Sequence, residues 1–125
     1  MDELENIADY VDKSLGVYIH KDHLILNTKF GFDMFNLNNL VWIYHNITKH
    51  KMYVFITVSV DYSLQINLYE DGKFREQRVM LSNNKKAQDA VESLLTYIGM
   101  NYPNSIVGFT PETREAYKNF KLSHR

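Results

Sequence analysis

Between residues 17 and 81 the apolar positions recur with a period of two. Leu24, Leu26, Thr28 and Phe30 fall on one face of residues 23–30, and Val54, Ile56, Val58 and Val60 on one face of residues 53–60. In residues 62–69, Tyr62, Leu64, Ile66 and Leu68 alternate with Ser63, Gln65 and Asn67. Alternation of this kind predicts antiparallel strands with one face on a core and the other nearer water. Turn signals separate the runs: Lys21-Asp22, Gly31 to Asp33, Asn38-Asn39, Lys49 to Lys51 and Asp61. The clearest is Glu70-Asp71-Gly72-Lys73, because Asp-Gly suits a two-residue hairpin turn with φ > 0 at both central positions. The spacing predicts about seven short strands that bend into a sandwich or barrel.

The period changes to 3.6 at both ends. Leu4, Ile7, Ala8, Val11 and Leu15 form one stripe, which predicts a helix over 1–15 that stops at Gly16. Asp2, Glu3 and Glu5 suit the positive end of that helix dipole, and read more naturally as a solvated face than as an acidic docking surface. Ala87, Ala90, Val91, Leu94, Leu95 and Ile98 predict a second amphipathic helix over 84–101, capped from Ser82-Asn83-Asn84 and ended by Pro103. The tail, 105–122, begins extended. Thr110-Pro111-Glu112 then opens a last short helix, with a capping threonine, a proline at the first position and an acid at the dipole. No linker or repeat divides the chain, so 1–125 reads as a single domain.

Composition narrows the function classes. The chain has 125 residues, is 45% hydrophobic and 14% aromatic, and carries a net charge of −1, enough apolar surface to fold and no global field for nucleic acid. No apolar run reaches the ~18–20 residues of a membrane span, and the acidic N-terminus is unlike a signal peptide. Membrane insertion is therefore not expected, and the chain reads as cytoplasmic. With no cysteine, thiolate metal sites, disulfides and cysteine nucleophiles are excluded.

The order of elements, a bent antiparallel sheet with a helix at each end, resembles that of a pleckstrin-homology-like α+β barrel. Asn38-Asn39-Leu40-Val41-Trp42-Ile43-Tyr44, two further strands, a D-G-K turn and a helix resemble a family of small uncharacterised bacterial domains of that fold. Asn101-Tyr102-Pro103 leading to Ile106-Val107-Gly108-Phe109 resembles their ending. The resemblance implies a fold and an interaction role, and no active site to carry over. Phosphoinositide-binding relatives are similar in using a long basic first loop. Here residues 19–23 are short and hold one lysine, which argues against headgroup binding.

Candidate chemistry is sparse. His20 and His23 flank a tight turn with Asp22 between them, which could supply metal ligands but assures no third. They read as turn histidines, as do His45 and His50. The neighbouring carboxylates Asp9 and Asp12, Glu70 and Asp71, and Asp89 and Glu92 read as solvated rather than as a paired acid and base, and no serine elbow or glycine-rich phosphate loop is present. The Asn46-Ile47-Thr48 sequon is idle without secretion. Five basic residues between Lys73 and Lys86 (Lys73, Arg75, Arg78, Lys85, Lys86) stand against Glu76 alone, with Phe74 on the face of Glu76 and Arg78. This is a weak version of a nucleic-acid surface and reads better as a charge-protected edge. The expectation is a non-enzymatic protein without a cofactor that binds no nucleic acid.

Aromatic residues carry the positive signal. In residues 40–47, Leu40, Trp42 and Tyr44 alternate with Val41, Ile43 and Ile47, so both faces of the strand are apolar. One face then needs a cover: the N-terminal helix, the C-terminal tail or a second subunit. Trp42 and Tyr44 are the candidate partner-binding residues, since such rings give contact area with little entropy loss. The sequence thus predicts a protein-interaction or scaffolding module that self-associates. The alternative is a small apolar-ligand binder with a pocket between sheet and helix.

Overall fold

A computed structural model describes residues 9–12, 16–28, 31–53, 56–81 and 85–124. The chain begins as an antiparallel meander of β1 (Tyr10–Asp12), β2 (Val17–His20), β3 (His23–Thr28) and β4 (Gly31–Asn36). A 3₁₀ turn, Leu37–Asn39, then leads into β5 (Leu40–Tyr53), β6 (Ile56–Glu70) and β7 (Lys73–Leu81). Asn36 caps that turn by accepting a 2.9 Å bond from the Asn38 amide through Oδ1. Helix α1 (Lys85–Asn101) follows, then the short strand β8 (Ile106–Val107) and helix α2 (Pro111–Ser123).

The fold is α+β, with two four-stranded sheets ordered β1-β2-β3-β4 and β7-β6-β5-β8 and not closed into a barrel. The expected barrel of about seven strands is corrected on that point. The cause is visible at Asn36–Leu40, where the 3₁₀ turn replaces a ladder between β4 and β5. The helix expected over 1–15 is corrected where it is described. Tyr10, Val11 and Asp12 pair with Ile19, Tyr18 and Val17, because the edge of β2 offers the β-prone Tyr10 and Val11 a ladder that a helix would forgo. The rest of that expectation, 1–8 and 13–15, lies outside the described residues. Three expected turns are strand. Asp61 sits within β6, where the period of two runs on through it. Lys49–Lys51 lies within β5, and its polar cluster coincides with ladder irregularities at His50/Lys51 and Lys51/Tyr53 rather than a reversal. Gly31–Asp33 is likewise the start of β4.

The tight turns behave as their residues require. Asp71 and Gly72 have φ of 52° and 77°, closing β6 on β7 with Glu70 opposite Lys73. Lys21 and Asp22 have φ of 47° and 65°, and place His20 opposite His23. The α1 stripe is the one read from the sequence. Ala87, Ala90, Val91, Leu94, Leu95 and Ile98 join Val17, Leu24, Leu26 and Phe35 of the first sheet and Ile43, Leu64, Ile66 and Leu68 of the second in one aliphatic core. At the N-terminus of α2, Thr110 Oγ1 accepts from the Thr113 amide at 3.1 Å, and Thr113 Oγ1 from the Thr110 amide at 2.8 Å.

Candidate interaction surface

The outer face of the second sheet is built by a bulge. Between Leu40 and Trp42 the β5–β6 register shifts by one residue, so Leu40 and Ile43 join the inner core while Val41 and Trp42 both join an outer cluster. Simple alternation had put Val41 with Ile43 and Leu40 with Trp42; the bulge overrides it. Tyr44, Tyr69, Phe74, Ile106, Tyr117 and Phe120 complete the outer cluster.

The cover for this face comes from the C-terminal tail. Strand β8 pairs parallel to β5 at Trp42 and Ile43, and α2 lays Tyr117 and Phe120 over the rings beneath. Trp42, expected at a partner surface, is only 5% exposed. Its ring lies 4.4 Å from Tyr44, 5.0 Å from Tyr117 and 5.8 Å from Phe109, and Nε1 donates to the Gly108 carbonyl at 2.7 Å. Tyr44 is half-buried beside it.

Polar handles lock α2 in place. Tyr117 donates to Glu76 Oε2 at 2.8 Å, and Lys121 reaches the same oxygen at 3.7 Å while lying over the Tyr117 and Phe74 rings. Burial, and then the bond to the Glu76 carboxylate with its charge, pushes the Tyr117 hydroxyl well above the ordinary phenol range. Burial raises Tyr44 as well. Phe74, the aromatic of the basic strand β7, is taken into this cluster rather than left for a base to stack on, and Arg75 pairs with Glu70 at 3.6 Å.

Beside α2 runs an open groove of about 650 Å³. Trp42 and Tyr117 form its floor and Pro111 one end, with Arg114, Lys118 and Lys121 along the rim and Glu115 as the one acid lining it. Pro111, Arg114, Lys118 and Leu122 follow helical spacing, which explains how a short helix presents one continuous wall. Phe109 is 57% exposed and Leu122 50%. The sequence reading does not find this groove, because its floor joins Trp42 of β5 to Tyr117 of α2, far apart in the chain; the helical spacing of Arg114, Lys118 and Lys121 is the local signal it offers.

The second notable surface is the β5–β6 hairpin. It outruns its neighbours: β7 pairs with β6 only from Tyr62 to Glu70, and β8 touches β5 only at Trp42 and Ile43. Among the described residues, Ile56 to Val60 of β6 pair with β5 alone, forming a two-stranded arm about 17 Å long. Ile47, at its base, is 52% exposed.

The histidines do not converge. His20 and His23 face each other across the turn, with His23 Nδ1 3.0 Å from the Lys21 carbonyl oxygen. Asp22 turns elsewhere, accepting from Tyr102 at 2.7 Å and Asn38 at 3.5 Å, which ties the first sheet to the end of α1. Among the described residues no three His, Asp or Glu side chains gather as a metal site. His45 lies at the margin of the inner core, its ring 5.7 Å from Tyr62 and Nδ1 4.0 Å from Glu92, and burial lowers its pKa despite that carboxylate. No helix among the described residues is long and apolar enough to cross a membrane. Compared with known proteins, the chain matches no protein-family model, no curated protein and no solved structure.

Proposed function

We propose that the protein is a non-catalytic interaction module that self-associates. The observation that carries this reading is the β5–β6 arm, whose outer edges have no neighbouring strand among the described residues. Two-stranded ribbons are marginal in water, and open edges are templates for a further strand. On the β5 side the arm carries Lys49 and Lys51 and ladder irregularities, both of which discourage pairing. On the β6 side, Ile56 to Val60 carries no charge. A second copy is the partner this uncharged edge suits.

Native mass spectrometry over a concentration series tests the proposal. A dimer or larger assembly that weakens in Ser59→Lys, with the melting temperature unchanged, is the expected result. A monomer at every concentration overturns self-association.

A second reading follows from the groove beside α2, whose apolar floor and concave shape suit a small ligand. In that case the purified chain carries extra mass, and the ligand raises the melting temperature by mass action.

A further inference from the structure

The groove beside α2 has a charge sign. Arg114 and Lys118 rim it against Glu115, with Lys121 paired to Glu76, while Trp42 and Tyr117 make its floor and Phe109 and Leu122 add exposed apolar surface at its margins. A matching occupant is an acidic segment with aliphatic side chains interspersed: the carboxylates meet the rim and an aliphatic residue covers the floor. The chain contains such a segment. Residues 1–8 read Met-Asp-Glu-Leu-Glu-Asn-Ile-Ala, in which Asp2, Glu3 and Glu5 alternate with Leu4 and are followed by Ile7. No stretch of comparable acidity occurs elsewhere: the remaining Asp-Glu neighbours are Glu70-Asp71, a hairpin turn closing β6 on β7.

The fold also sets where that segment starts. Tyr10 belongs to the first sheet, and its hydroxyl donates to Ser93 of α1 at 3.1 Å. The first described strand therefore begins on the α1 side of the molecule, whereas α2 and its groove lie across the second sheet on the opposite face. That separation favours delivery between molecules. We infer that the groove of one chain receives the acidic segment 1–8 of a second copy, reciprocally, so that charge complementarity sets the orientation of the pair. The inference rests on the self-association proposed above, and adds a surface distinct from the β5–β6 arm.

A charge-swap experiment tests it. One variant carries Asp2→Lys, Glu3→Lys and Glu5→Lys; the other carries Arg114→Glu and Lys118→Glu, at exposed positions that leave Tyr117 and Lys121 on Glu76. Each variant alone should self-associate about tenfold more weakly than the wild type, a change of the size that several reversed rim charges produce. Mixed together, they should recover wild-type affinity as a heterodimer. In the mixed pair, one groove receives a native acidic segment and the other a basic segment facing new glutamates. Circular dichroism and melting confirm that both variants fold.

The outcomes separate the two claims. If the wild type assembles but neither variant weakens it, or both weaken it and the mixture does not recover, the groove proposal is overturned while the arm remains. If the wild type is monomeric throughout, both claims fall. If only the groove variant weakens assembly, the site is in use but residues 1–8 are not its occupant, which also overturns the inference.

Discussion

The two faces of the second sheet are held by different chemistry. The inner face is aliphatic: Leu40, Ile43, Leu64, Ile66, Leu68, Val79 and Leu81 meet α1 and the first sheet in one core, with polar ties at its margin from Tyr10 to Ser93 and from Tyr102 to Asp22. The outer face is aromatic, covered by one short helix, and punctuated by hydrogen bonds from Trp42 to Gly108 and from Tyr117 to Glu76. Aliphatic packing is non-directional and shared among many neighbours. Aromatic packing with polar tips is directional, so the position of α2 depends on a few specific bonds. The inner face therefore sets global stability, while the outer face sets the placement of α2 and with it the shape of the groove.

The sharpest way to separate the faces is to truncate each. Ile66→Ala removes a fully buried side chain and should cost about 4 kcal/mol, lowering the denaturant midpoint of the whole molecule by every probe. Trp42→Phe should cost less, about 2 kcal/mol, from a partial cavity and the lost bond to Gly108. Hydrogen exchange should report that loss mainly as faster exchange in α2, with α1 protected as before. Should α1 exchange rise equally, the two faces are one cooperative unit. Tyr117→Phe is the smallest of the packing changes, about 1 kcal/mol, because it deletes one hydroxyl and leaves Glu76 with Lys121.

A pH titration tests the inner margin. Burial holds the folded pKa of His45 below its ordinary 6.5, so below pH 6.5 the unfolded chain binds more protons there than the folded one. The stability from a neutral His45 is present above pH 6.5 and is lost as pH falls through the lowered folded value. Urea midpoints measured across this range should fall with acidity, and His45→Leu should flatten the part due to this residue. An unchanged profile would remove His45 from the account.

Much of this architecture is legible in the residues, with telling exceptions. The α1 stripe from Ala87 to Ile98, the Asp71-Gly72 turn and the Thr110-Pro111 helix start are local signals with local causes, and each reappears in the structure. What escaped sequence reading depends on partners distant along the chain. Residues Tyr10–Asp12 pair with β2 although their neighbourhood carries a helical stripe. At Val41 the bulge sends two successive side chains to one face, which no strict period of two describes. The apolar second face of β5 was a correct signal that something must cover it. Its cover, α2, lies 75 residues downstream (Trp42 to Tyr117), beyond the reach of any local pattern.

Trp42 is the chain's only tryptophan, and it is pinned between β5 and α2. The molecule thus contains its own optical gauge for one event. Lifting α2 away would hydrate the indole and shift its emission to the red, even while α1 and the inner core stay folded. A side chain covering the floor of the groove would change that emission without unfolding anything, so a simple fluorescence titration reads occupancy there.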